Sequence, residues 1–145
     1  MAKTSGGIRG QKTTTSTSSG RKREGYIEAM HPLLTKNVIK YVGNARHIKI
    51  KFNRKGIEHI ADDVLKKNLG ISKKELPKLD NSLRDAKFIK SSGLYKDRKD
   101  GIIKFYYFSD KNKNLRYNVA ERKRKNENGV EHVSRFLYSL TKSNK

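Results

Sequence analysis

Apolar positions change rhythm twice along the chain. Ile27, Met30, Leu34, Val38 and Val42 recur at helical spacing, with Pro32 tolerable in a first turn and Gly43 as a stop. They predict an entrance helix over residues 25–44. Residues 46–52 (RHIKIKF) alternate instead, with Ile48, Ile50 and Phe52 on one side and His47, Lys49 and Lys51 on the other, as in a half-buried strand. Asn53 suits the N-cap of a helix whose stripe is Ile57, Ile60, Ala61, Val64 and Leu65, with Gly70 beyond its end. Ser72 and Glu75 form a capping-box pattern for a second helix through Leu76, Leu79, Leu83 and Ala86, with Pro77 in its first turn.

From residue 87 the rhythm is that of strands. Lys87–Ser91, Ile102–Ser109, Leu115–Lys123 and Val130–Thr141 are separated by turn-forming stretches at 97–101, 110–114 and 126–129. The expected class is α+β: helices packed on one face of a four- to five-stranded, mainly antiparallel sheet, in the order β-α-α-β-β-β-β after the N-terminal helix. Residues 1–24, with the unbroken run Thr13 to Ser19 and the basic cluster Arg21, Lys22 and Arg23, read as a disordered Ser/Thr-rich arm. The remaining 25–145 reads as a single domain.

Turns centred near Asn112 and near residues 127–128 would align Lys104 with Ala120 and Arg135, Tyr106 with Asn118 and Leu137, and Phe108 with Arg116 and Ser139. That places Lys104, Tyr106, Arg116, Asn118, Arg122, Arg135 and Ser139 on one concave, basic face. Ile103, Phe105, Tyr107, Leu115, Tyr117, Val119, Phe136, Tyr138 and Leu140 would form the opposite, core face.

Charge gives the first face a meaning. The 145 residues hold 35 Lys and Arg against 14 Asp and Glu, a formal net charge of +21 spread over the whole chain. Solubility alone needs a charge of only about 2–8 on a small domain, so a polyanion is the expected partner, most directly RNA. Lys and Arg would bind phosphates while Tyr106 and Phe108 stack on unpaired bases. No apolar run nears the roughly 18 residues that span a bilayer, and MAKTSGGIRG has no secretory apolar core. No membrane partner is expected, and an intracellular setting is. The lack of cysteine excludes disulfides, a thiol nucleophile and Cys-based zinc sites.

Among the histidines, His31 precedes Pro32 at a helix entry, His47 shares a face with Lys49 and Lys51, and His132 sits near a strand end. His59 lies away from the centre of its helix's apolar stripe and is the candidate acid or base. Metal chemistry has little basis. Asp62 and Asp63 diverge by about 100° on a helix, and Asp110 and Glu121 of a D…ExK pattern fall about 23 Å apart at strand rise. No P-loop, GxGxxG or HExxH is present. No cofactor or metal is expected. Metal-free RNA cleavage would use His59 as base or acid, Lys104, Arg116 and Arg135 for the phosphorane charge, and Tyr106 or Ser139 as hydrogen-bond donors. The same cations could serve binding alone.

From His47 to Thr141, the strand HIKIKF, the helix with GIEHI, a second helix and the strands IIKFYYF, LRYNVAERK and VEHVSRFLYSLT together resemble the barnase/EndoU/colicin/RelE-like nuclease superfamily, in particular its phage and prophage members. The resemblance implies a metal-independent ribonuclease of toxin or effector type, with an acidic immunity or antitoxin protein as a possible partner. It maps the family's helix histidine to His59, its last-strand hydroxyl to Ser139 or Thr141, and its middle-strand cation to Lys104 or Arg116. The expected catalytic set is therefore His59, Lys104, Arg116 and Ser139, with Tyr106, Asn118, Arg135, Lys49 and Lys51 binding substrate. The alternative is a non-catalytic nucleic-acid-binding protein, or a phage structural or packaging accessory.

Overall fold

A computed structural model describes residues 15–143, with side chains from residue 20. Helix α1 (Thr15–Met30) leads through a 3₁₀ turn (His31–Thr35) into strands β1 (Asn37–Tyr41) and β2 (His47–Lys51). Helix α2 (Arg54–Lys66), a second 3₁₀ segment (Lys73–Lys78) and helix α3 (Leu79–Asp85) follow. Strands β3 (Lys87–Ser91), β4 (Ile102–Asp110), β5 (Leu115–Lys125) and β6 (Glu131–Lys142) complete the chain. The class is α+β, as expected, but the sheet is mixed and six-stranded, in the order β1-β2-β6-β5-β4-β3. Its one parallel junction, between β2 and β6, is a single pair, Lys51 with Phe136.

Two N-terminal expectations are corrected. The first ten residues of α1 fall inside the stretch expected to be a disordered arm, while residues 1–14 of that stretch lie outside the described residues. The helix is anchored by the burial of Ile27 and Met30 and by an Arg23 Nε–Asp62 Oδ1 ion pair of 2.7 Å to α2. The entrance helix expected to reach residue 44 ends at Met30, and residues 37–41 are an edge strand. Positions 30, 34, 38 and 42 are four apart, a spacing that satisfies both a helical and a two-residue period. Val38 faces inward from β1 and Val42, just past its end, is also buried, while Leu34 is exposed.

The α2 expectations hold: Asn53 Oδ1 accepts from the Gly56 N–H at 2.9 Å, and Ile57, Ile60 and Ala61 are buried. The Ser72 N–H donates to Glu75 Oε1 at 2.9 Å, and Pro77 is absorbed by a 3₁₀ segment ahead of α3. The sheet curls toward these helices. Lys40 on β1 donates to the carbonyls of Arg84 and Ala86, just before β3, and its ammonium lies 5.7 Å from the Phe108 ring. The concave side therefore holds the main core, and the convex side faces away from the helices.

Next to their loops, both hairpin registers differ from expectation by one residue. Asp110 closes on Leu115 across a four-residue loop ended by Asn114 at φ +54°, and Lys125 closes on Glu131 across a five-residue loop. Each turn centre moves by half a residue, which shifts the pairs from Lys104 to Asp110 and from Val119 to Lys125 by one and changes which faces meet; beyond the bulge the β5–β6 pairs from Leu115 to Asn118 are shifted by two. Lys104 pairs with Glu121 and Arg135, Tyr106 with Val119 and Leu137, and Phe108 with Tyr117 and Leu140. Tyr106 and Phe108 are consequently buried in the core, at 2% and 0% exposure, and offer no ring to a base. Phe105, Tyr107, Phe136 and Tyr138, expected in the core, turn to the convex face, whereas Leu115, Tyr117, Val119 and Leu140 face inward as expected. A bulge opposite Asn118 and Val119 puts Tyr138 and Ser139 outward together while Leu137 and Leu140 both face in.

Candidate nucleic-acid interface

The convex face is organised around β5, whose alternation sends Arg116, Asn118, Ala120 and Arg122 outward. Ala120 is fully buried because Phe105 of β4 and Phe136 of β6 flank it in the same row. Around this centre Phe105 stacks on Tyr107 (ring centroids 6.4 Å apart, 11° between planes) and meets Tyr138 edge-on at 5.4 Å. The loop after β3 folds over the same patch, its Tyr95 N–H donating to the Ile103 carbonyl (2.7 Å) and its ring 5.8 Å from Phe105.

Guanidinium groups cover these rings. Arg116 lies 4.9 Å from the Tyr107 centroid, Arg122 4.8 Å from Phe136, and Arg98 5.4 and 5.6 Å from Tyr95 and Phe105. Each such contact stabilises by about 0.5–1 kcal/mol at an exposed site and leaves the N–H edge free for an acceptor. Among the described residues neither Arg116 nor Arg122 has a carboxylate within ion-pair distance. Arg98 is clasped by Asp100 through two bonds of 3.0 and 2.7 Å, and its hydrogen bonds hold the Asp100 carboxyl down at about 2 against the opposing effect of burial. Burial pushes the Arg122 guanidinium below its ordinary value, and the neighbouring Arg124 charge adds to the shift.

A polar ladder continues the face. Arg116 Nε donates to Asn118 Oδ1 (3.2 Å), and Asn118 Nδ2 donates to Ser139 Oγ (3.0 Å) and Thr141 Oγ1 (3.4 Å). Asn118 is buried, so the ladder fixes its amide and leaves the Ser139 proton available. Lys49 and Lys51 extend outward from β2, alternating with buried Ile48 and Ile50.

His59 reaches this face around the sheet edge. Beyond Lys51 and Phe136, α2 takes the place of β2 beside β6. The Asp63 carboxylate accepts the Leu140 N–H at 2.9 Å, Lys67 Nζ donates to the Leu140 carbonyl at 3.4 Å, and Gly56 packs directly on the Leu137 carbonyl. The half-buried His59 ring then lies 4.3 Å from Tyr138, centroid to centroid.

The expected site residues thus divide. His59, Arg116, Asn118, Ser139, Lys49 and Lys51 belong to the convex face. Lys104, Tyr106 and Arg135 belong to the concave side, where they surround Glu121. There Glu121 Oε1 accepts from the Tyr106 hydroxyl (2.8 Å) and Arg135 Nε (2.7 Å), and Arg46 Nη2 stands 4.0 Å away. Lys104 Nζ lies 5.3 Å from the Tyr106 ring. Burial works to raise the Glu121 carboxyl, yet Tyr106, Arg135 and Arg46 outweigh it and hold it below its ordinary value. Such a carboxylate is a poor proton acceptor at neutral pH and a good internal anchor.

Sequence reasoning missed Arg98, Tyr95 and the Glu121–Arg46 contact, all of which depend on loops. The outward aromatics were visible as alternating residues but were given to the wrong side. Among the described residues no three His, Asp or Glu side chains come together as a metal site, and no helix is long and apolar enough to cross a membrane. No family model, curated protein or solved structure matches the chain.

Proposed function

We propose that the chain binds nucleic acid through the convex sheet face, gripping the phosphate backbone with Arg98, Arg116, Arg122, Lys49 and Lys51. The observation that carries this reading is the pair Arg116 and Arg122, braced on aromatic rings and without an ion-pair partner among the described residues. Bracing limits the side-chain entropy lost on binding, and the guanidinium fork matches a phosphate bidentately. The rings themselves lie beneath the arginines, which favours backbone contact over base stacking and hence sequence-independent binding. The test is fluorescence anisotropy with labelled nucleic acid over a salt series. The logarithm of affinity should fall linearly with that of salt, and Arg116→Ser with Arg122→Ser should together flatten the slope by about 1.5–2. Absent binding at low salt, or a slope unchanged in the double variant, overturns the proposal.

His59 beside Tyr138, with Ser139, Asn118 and Arg116 on the same face, supports a second reading as a metal-independent ribonuclease. Here His59 moves the proton and Arg116 meets the developing phosphorane charge, with Lys104 excluded from the set. Purified protein should then cleave RNA in chelator, and His59→Gln should abolish cleavage without unfolding. Intact RNA leaves binding as the function.

A further inference from the structure

Strands β5 and β6 run on past the rest of the sheet. The last β4 pair is Ile102 with Arg122, and β2 reaches β6 only at Phe136. The Lys123 N–H still donates to the Gly101 carbonyl at 3.0 Å. Beyond it Arg124 pairs with His132 and Lys125 with Glu131, in a two-stranded ribbon flanked by no other strand. Every residue from 123 to 133 is exposed, with Val130 at 53% and Val133 at 48%.

An isolated ribbon is marginal in water, but this one has a built tip. Asn126 Oδ1 accepts from the backbone of Asn128 (2.9 Å) and Val130 (3.0 Å), and Asn126 Nδ2 meets His132 Nε2 at 3.2 Å. Gly129, at φ +78°, closes the loop by donating to the Asn126 carbonyl at 3.0 Å. The ribbon is also strongly basic: Arg122, Lys123, Arg124 and Lys125 are consecutive. Arg124 and His132 continue the convex face outward from Arg122, while Lys123 turns the other way toward Glu131 at 3.8 Å. Glu131 answers Lys123, but the ribbon's four consecutive cations outnumber its two acids, Glu127 and Glu131, and a polyanion relieves the remainder.

The dimensions select a ligand. Two strands about 4.8 Å apart, with side chains, projecting roughly 10–15 Å, match a groove about 12 Å wide and 8.5 Å deep. That is the major groove of B-form DNA. The A-form major groove of RNA is too narrow to admit side chains.

We infer that the β5–β6 ribbon enters the major groove of double-stranded DNA, with Arg124 and Lys125 on the backbone at its walls and Val130 and Glu127 toward its floor. Thymine methyl groups and cytosine amino groups lie on that floor, so the exposed valine and the acid of the loop both gain partners. The inference rests on the nucleic-acid reading of the convex face and narrows its ligand to duplex DNA.

The experiment uses the full chain and three labelled probes of one sequence, about two helical turns long: a DNA duplex, an RNA duplex and a single strand. The DNA duplex should bind tightest at fixed salt. Arg124→Ser with Lys125→Ser should weaken duplex binding about tenfold and single-strand binding less than about twofold, with the thermal unfolding curve unmoved. A second variant, Val130→Asp, places a charge at the tip and should impair only the DNA duplex. Methylation of guanine N7, which blocks the major-groove edge, should likewise reduce binding. Equal or better binding of the RNA duplex, or unchanged DNA affinity in both variants, overturns the ribbon inference while leaving the convex face as a nucleic-acid surface. Failure of all three probes to bind overturns both.

Discussion

Two adjacent rows of the same three strands put arginine to opposite uses. In the row Lys104–Glu121–Arg135, facing the helices, a buried carboxylate draws in Arg135, Arg46 and the Tyr106 hydroxyl. One residue along, in the row Phe105–Ala120–Phe136, acids are absent and the neighbouring arginines lie on rings. The first group is satisfied within the chain. In the second, Arg98 is clasped by Asp100, whereas Arg122 is held on its ring with no ion-pair partner among the described residues. An arginine-rich sequence therefore says little until each guanidinium is assigned a counter-ion or shown to lack one, and here the distinction separates an internal anchor from a binding surface.

The comparison breaks most visibly at Glu121. Glu121→Gln removes the anion from between two arginines and should cost about 3 kcal/mol in chemical denaturation, the low end for breaking a buried pair because Arg135 keeps a quarter of its side chain in solvent. Nucleic-acid affinity should change less than about twofold. A parallel loss of affinity would place the inner cluster in the binding site. Arg122→Met is the reverse case. Its thioether still packs on Phe136, so stability should move by less than about 0.5 kcal/mol, while the salt slope of binding should fall by about 0.9, or 0.7 with a single strand.

The smallest effect comes from pH. Asp100 has a lowered folded-state pKa of about 2, so its clasp on Arg98 contributes fully above the ordinary carboxyl value and is lost as pH falls through about 2. For a pair that keeps part of its surface in solvent this is about 0.5–1 kcal/mol. It should be seen as a change in Tyr95 fluorescence below pH 4, absent in Asp100→Asn.

Local features of this fold were legible in the sequence, and those set by half a residue were not. The Asn53 cap and the stripe Ile57, Ile60 and Ala61 depend on neighbours within two helical turns, and both stand as read. The outward placement of Arg116, Asn118 and Ser139 also stands, because alternation within a strand needs no knowledge of its partner. Which β4 residues accompany them depends on loop length, and a four-residue loop ended by left-handed Asn114 cannot be told from a three- or five-residue one by turn composition alone. That difference exchanged Tyr106 and Phe108 for Phe105 and Tyr107. The bulge at Tyr138 left no mark in the alternation of β6, and Arg98 reached the site only through the fold of an irregular loop. Strand β1 was hidden by a four-residue spacing common to two periods.

Asp63 reads as an ordinary helical acid in the sequence, yet it is buried against the Leu140 N–H, with Lys67 one helical turn later on the Leu140 carbonyl. Between them they occupy the donor and the acceptor that a seventh strand would have taken. A stretch of β6 that β2 leaves uncovered is thereby closed to strand addition, which is how exposed edges recruit other chains into aggregates. The width of this sheet is set at that point by one acid–base pair on a helix, and neutralising Asp63 would reopen the edge to a foreign strand.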